Sequence, residues 1–399
     1  MSRFKALTSS LKSTARIAVD ALLEWHPSTL PMVPDKVITP EFLNHLLEEY
    51  GFGNAARSAV AIEVRTTDIQ SVSSNCNNFI IEVDWEEGAD MPATLFLKLP
   101  CPELATRWFC NVIRVWELEC SFFRSFADNF PVRLPTVYAV ASYRSRFILL
   151  EENLHADGRV TLHTNPDMME GPSRAVAEQC LAALARIHAF YHDLPREEQE
   201  RRLSFSTHPF LSPVMTEISR FINRMAVDPC RKKVPHSFPE STAQTFRLAM
   251  DHWDELLAWW YEGPLTLLHG DSHLGNFFVE GDEMGMIDFQ AAHWGKGIRD
   301  VQYFLIDSLP ADMLAVNEHA LVRFYTEQLA EQGVQLSFET AWEQYRAYSF
   351  QTLMTIVVSL GLGPLTEGDV LMSEITRRAV AACERLDFRG WLEQTIISA

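Results

Sequence analysis

The 399-residue chain has no uninterrupted apolar run approaching 18 residues, so nothing in it reads as a membrane span. Positive charge is scarce. Lys and Arg number 34 against 53 Asp and Glu, and the net charge of −19 disfavours nucleic acid or an anionic membrane as a partner. An acidic surface suits cationic substrates, but solubility is its commoner reason. The seven cysteines (Cys76, Cys101, Cys110, Cys120, Cys180, Cys230, Cys383) form no Cys-x-x-Cys pair and are odd in number. That argues against a disulfide framework or zinc site and for a reducing, cytoplasmic setting. Internal repeats and low-complexity tracts are also missing. What remains, 47% hydrophobic and 22% charged residues, is ordinary for a globular protein with one or two cores.

Residues 1–19 carry Arg3, Lys5, Lys12 and Arg16 with no acid before Asp20. This composition is compatible with an organelle transit peptide. It equally fits an amphipathic surface helix over 4–25, apolar at Phe4, Leu7, Leu11, Ile17, Ala18 and Leu22, and the helix is the reading favoured here. Thr39 and Pro40 open a second helix that Gly51 stops. Three β-rich runs follow, Val60 to Ile69, Asn78 to Trp85 and Ala93 to Leu99, and predict an antiparallel sheet. Lys98 sits inside the third. A lysine there either faces water on an edge strand or reaches the α/β-phosphates of a nucleotide. A helix expected from Glu103 to Phe126 decides between these. Positions 108, 112, 115, 119, 122 and 126 share one apolar stripe in which Glu119 is the only charge. A buried carboxylate needs a cation, and Lys98 is the natural one. Glu117, the rival, lies with Arg114 and Arg124 and reads as solvated.

Strands at Tyr138–Tyr143 and Arg146–Leu150 precede a mainly helical second half. Its helices are expected at 173–192, 241–262, 311–332, 338–361 and 366–386, with a proline-rich segment from Ser204 to Pro239 that reads as an irregular excursion or a substrate-side insertion. His188 falls at core spacing and reads as a satisfied core histidine. The densest polar signal is His269-Gly270-Asp271-Ser272-His273-Leu274-Gly275-Asn276. An apolar lead-in, Leu265–Leu268, comes before it, and a hairpin ending Ile287-Asp288-Phe289-Gln290 comes after. Phosphoryl transfer needs a carboxylate to take the acceptor's proton, and an amide and second carboxylate to hold Mg²⁺. Asp271, Asn276 and Asp288 supply these in order. Alternatively, His269, Asp271 and His273 are three ligands of a hydrolytic metal site. That reading leaves Lys98, Glu119, Asn276 and Asp288 unexplained.

These residues, with the echo Gly297-Ile298-Arg299-Asp300, resemble the aminoglycoside phosphotransferase/choline kinase superfamily, and within it the ecdysteroid-kinase-like (CHK) group. The match is specific here and diffuse in the first half. The resemblance implies an α+β, protein kinase-like fold of two lobes: residues 1–150, with the helical extension and nucleotide-binding sheet, and 151–399, with hinge and helical lobe. It implies ATP and Mg²⁺ as cofactors, Asp271 as the base and Asn276 and Asp288 as metal ligands. Lys98 and Glu119 would be the nucleotide-positioning pair. Glu151-Glu152-Asn153-Leu154 looks like the family's hinge, so Glu151 and Asn153 are assigned to nucleotide contact. Ser73 and Ser74 are assigned likewise, from the segment Ser71–Asn78 where a kinase carries its phosphate loop. That segment has no glycine, which weakens the inference of nucleotide grip. His269 is expected to brace the loop, Asp300 to anchor it from below, and His293 and Trp294 either to line an acceptor pocket or to pack.

The expected activity is transfer of the ATP γ-phosphate to a hydroxyl of a small molecule. By resemblance the acceptor is steroid-like or otherwise lipophilic, an aminoglycoside-type sugar, or choline-like. The 10 Trp and 25 Phe lean slightly to an apolar one. A pseudokinase that holds nucleotide without transfer is the alternative. Protein kinase activity is weaker still, because Asp288 to Asp300 is too short for an activation loop and no Ala-Pro-Glu appears.

Overall fold

The computed structural model describes residues 2–22, 30–72, 75–156, 158–363 and 369–398. The chain divides into two compact units. The first is Arg3–Phe130 with Leu134–Val160, and the second is Pro131–Arg133 with Thr161–Ala399.

In the first unit, β1 (Ala61–Val72), β2 (Cys76–Trp85), β3 (Thr94–Pro100), β4 (Val137–Tyr143) and β5 (Arg146–Glu152) form an antiparallel sheet of order β1-β2-β3-β5-β4. Period-two alternation gives the sheet two different faces. Phe79, Ile81 and Val83 of β2, Leu95, Leu97 and Leu99 of β3 and Ile148 and Leu150 of β5 pack with Leu43, Leu46 and Leu47 of helix Pro40–Tyr50. That helix is capped by Thr39, whose hydroxyl accepts from the Phe42 N–H, and has Pro40 at its start. The intervening residues, Lys98 among them, face the other way.

The single helix expected over Glu103–Phe126 is two helices, Leu104–Ile113 and Val115–Phe126. Arg114, at φ 61, adopts the left-handed conformation between them. No glycine or proline signals this break, so spacing alone missed it. The apolar stripe turns there: Val115 is half-buried while Trp116 and Leu118 are buried. Glu119 keeps its inward position and Glu117 is exposed, 3.8 Å from Arg114.

Helix Ser2–Leu22 forms as expected and is fastened near its C-terminal end. The buried Asp20 carboxylate accepts from the backbone N–H (3.0 Å) and hydroxyl of Ser145, in the β4–β5 turn. Arg146 donates to the carbonyls of Asp20 (2.9 Å) and Leu30 (2.7 Å).

The second unit is mostly helical. Helix Phe338–Leu362 runs through its core and packs on Pro213–Lys233 and Ile298–Ser308. The expected irregularity over Ser204–Pro239 is corrected by the 21-residue helix Pro213–Lys233. Its first proline sits at the N-terminal position, where a missing N–H costs nothing. Met215, Ile218, Ala226 and Val227 give it a buried face that outweighs the interior Pro229. The expected helix 241–262 is interrupted at His252 into Glu240–Asp251 and Trp253–Trp260. Four short strands carry the polar knot and follow β6 (Val160–Leu162). β7 (Thr266–Leu268) pairs antiparallel with β10 (His293–Gly295), and β8 (Phe277–Glu280) with β9 (Glu283–Met286). All seven cysteines are buried and none is in a disulfide.

The Arg114 hinge is testable. Arg114→Val places a β-branched residue at positive φ and is expected to lower unfolding free energy by about 1–2 kcal/mol in urea titrations, whereas Arg114→Gly is expected not to.

Candidate active site

In the first unit, β3 is an interior strand, and Lys98 lies opposite Asn78 of β2 and Leu149 of β5. Its Nζ meets Glu119 Oε1 at 2.6 Å, with side chains 8% and 1% exposed. The two residues that spacing paired therefore do meet, and Lys98 is not on a solvent edge. Glu151 and Asn153 are buried at the end of β5. Asn153 Nδ2 donates to Thr94 Oγ1 at 3.2 Å, while Oδ1 accepts the His155 N–H at 3.1 Å. Its side chain is spent on fixing the strand exit. The β1–β2 ladder runs out to Val72 opposite Asn77. Ser73 and Ser74 lie outside the described residues.

In the second unit, the loop after β7 is clamped from one side by helix Ile298–Ser308, every residue of which is buried. The Asp300 carboxylate accepts from the backbone N–H of His269 at 2.6 Å and of Gly270 at 3.1 Å. The Asp300 carbonyl accepts from the Ser272 hydroxyl at 2.8 Å. Tyr303, one turn on, donates from Oη to Asp271 Oδ1 at 2.8 Å, and Ser308 Oγ accepts the Leu274 N–H at 2.9 Å. Gly270 has φ 87, and a Cβ there would stand 1.9 Å from the Ala291 carbonyl oxygen, so only glycine fits.

The same loop is tied to the strand that delivers Asp288. His269 Nε2 bonds the Ile287 carbonyl at 2.9 Å, and the Ile287 N–H donates to the Asn276 carbonyl at 3.0 Å. Asn276 Nδ2 donates to the Asp271 carbonyl at 2.7 Å, which leaves its amide oxygen for a cation. Asp288 follows at φ 65, an unusual conformation for a non-glycine residue. The two acids and one amide picked out by spacing are thus tied together by side-chain and backbone hydrogen bonds, Asp288 through its neighbour Ile287. Carboxylate and amide oxygens are the donors that Mg²⁺ takes, and the set fits that ion. The hydrolytic alternative is not supported: His269 Nδ1 accepts the Asp271 N–H at 3.2 Å, so both ring nitrogens are engaged. Among the described residues, no group of three or more His, Cys, Asp or Glu is placed to hold a metal.

Burial alone raises the Asp271 carboxyl, but His273 and the Tyr303 hydrogen bond outweigh it and hold it below the usual range. His273 Nε2 is 3.8 Å from Asp271 Oδ2. Asp300 is likewise lowered: its burial is overcome by His188 and Arg299, the latter at 3.0 Å. Burial pushes Asp307 up to about 6. His188 is a buried brace, with Nδ1 2.8 Å from the Tyr325 hydroxyl and Nε2 3.5 Å from Asp300. Tyr303, Ser308 and Asp307 were not singled out in the sequence. Their signal is helical spacing: three, seven and eight residues beyond Asp300 lie on or beside its own face.

His293 and Trp294 are buried in packing. Trp294 Nε1 donates to the Leu203 carbonyl at 3.1 Å and its carbonyl meets His208 Nε2 at 2.7 Å. His208 Nδ1 accepts the N–H groups of Phe210 and Leu211, which fixes a neutral ring.

A sheet with an internal Lys–Glu pair, and a helical unit presenting a clamped His-Gly-Asp loop, define a protein kinase-like α+β fold. The chain belongs to the ecdysteroid kinase-like family, whose profile matches residues 81–338. Among solved structures it is similar to an ethanolamine kinase of Plasmodium vivax (13% identity, 93% of this chain and 94% of that one, TM-score 0.50). It is also similar to a choline kinase of Cryptosporidium parvum (12% identity, 92% and 97%, TM-score 0.48). No curated protein matches it significantly.

Two measurements test these environments. Lys98→Met is expected to cost about 3–5 kcal/mol of stability by leaving Glu119 buried without that cation, and Lys98→Met/Glu119→Leu to recover most of it. Burial holds the imidazole of His293 down at about 4. The neutral form is therefore the one the fold stabilises; this contribution is complete above about 6.5 and is lost as pH falls toward 4. Denaturation midpoints of the wild type are expected to fall more steeply over that window than those of His293→Asn, by up to about 3 kcal/mol.

Proposed function

We propose that the chain is an ATP- and Mg²⁺-dependent kinase that phosphorylates a hydroxyl of a small-molecule acceptor. The observation that supports this most is the cross-linked set of Asp271, Asn276 and Asp288, with the base candidate hydrogen-bonded by Tyr303. When bound, Mg²⁺ neutralises the phosphate charge of ATP. Asn276 and Asp288 would hold the ion, and Lys98, kept in place by Glu119, would hold the nucleotide phosphates. Backbone groups of the Glu151–Asn153 exit and of the segment carrying Ser73 and Ser74 are the proposed further nucleotide contacts.

Asp271 orients the acceptor hydroxyl and takes its proton as the oxygen–phosphorus bond forms. Tyr303 occupies Oδ1, which leaves Oδ2, on the His273 side, to face the acceptor. A carboxylate held below its usual pKa is a weak base, and it suffices where positioning and charge neutralisation supply most of the catalysis. A second reading, nucleotide binding without transfer, rests on the glycine-free segment Ser71–Asn78.

Screening a broad library of alcohols for Mg²⁺-dependent ADP release separates the two. Asp271→Asn is expected to lower turnover by about 10²–10⁴-fold while nucleotide affinity stays within a few-fold. Unchanged turnover in that variant would remove Asp271 as the base. ATP binding with no release on any alcohol would favour the second reading.

A further inference from the structure

Helix Ser2–Leu22 buries few of its described side chains. Among its described side chains, Ser13, Ile17 and Asp20 are buried, a single stripe at helical spacing. The opposite stripe is the more apolar one: Leu7 is 57% exposed and Leu11 60%, and exposed Ala15 and Ala18 continue it. A helix that packs by one face usually turns polar residues outward. Here the polar residues flank the stripe instead, with Lys12 exposed and Arg16 half-buried beside it.

A distant segment brings further apolar groups to this side. Trp108, on helix Leu104–Ile113 of the same unit, donates from Nε1 to Thr14 Oγ1 at 3.1 Å. Thr14 lies three and seven residues after Leu11 and Leu7, hence next to them on the helix surface. Trp108 remains 36% exposed, and Leu104, one turn earlier, 63%.

We propose that this face docks on an anionic lipid bilayer, with helix Ser2–Leu22 lying in the plane of the interface. Leucines enter the acyl boundary, an indole suits headgroup depth, and flanking Lys and Arg meet anionic headgroups. Charge points to lipid as the occupant. The net −19 of the chain opposes approach to such a surface, yet residues 1–19 carry four cations and no acid. The short Debye length lets that local charge act alone. A second copy seated face to face would set the same cations against one another.

The test is co-sedimentation of the full chain with vesicles of phosphatidylcholine containing a minor share of phosphatidylserine, against pure phosphatidylcholine. Binding is expected to the first, weakened by salt and by Lys12→Gln/Arg16→Gln. Leu7→Gln/Leu11→Gln is expected to lower it about tenfold, with an unchanged melting temperature, because both leucines are already solvent-exposed. The proposal is overturned if the wild type stays in the supernatant, or if the leucine variant binds like the wild type. It is also overturned if light scattering finds a dimer that this variant dissolves.

Discussion

A carboxylate sealed from water beneath a turn is the constraint on which the second unit of this molecule depends. Asp300 accepts two consecutive backbone N–H groups, from His269 and Gly270, and is itself steadied by Arg299 and His188. Buried donors left without acceptors are expensive, so the loop has one conformation in which they are satisfied. From above, the Ala291 carbonyl leaves Gly270 no room for a side chain. Held between these two, the loop has little freedom left. Three further contacts, Ser272 to the Asp300 carbonyl, Leu274 to Ser308 and Asp271 to Tyr303, come from the same helix. One rigid rod therefore sets the direction of the candidate base.

The first unit solves a related problem by different means. A lone charge inside an apolar layer is made tolerable by its opposite, Lys98 against Glu119. The helix that carries Glu119 starts anew after a left-handed residue, which frees its direction from that of the preceding helix. Removing either one leaves the other buried without this counter-charge, which couples the strand to the helix.

Much of this was legible in the chain itself. Alternation located the first three strands of the large sheet; β4 and β5 were legible as β-rich runs, although β5 is buried along nearly its whole length. The pairing of Lys98 with Glu119 followed from the cost of a single carboxylate on an apolar stripe. The loop residues were legible because short polar motifs keep their spacing whatever surrounds them. What escaped has physical reasons too. Arg114 carries no side-chain mark of a left-handed backbone. The prolines between Ser204 and Pro239 read as breakers, although one sits where a helix tolerates it and another is outweighed by the burial around it. Tyr303 and Ser308 share a helix face with Asp300, but the loop they touch across the fold is not named by that spacing.

Asp288 has a further consequence. It occupies a left-handed backbone conformation at φ 65, which glycine or asparagine would adopt at less cost. A lineage that no longer needed a negative charge there would gain thermal robustness by replacing it. The aspartate thus stands against the chain's own folding preference, and at this one position backbone comfort and side-chain charge pull in opposite directions.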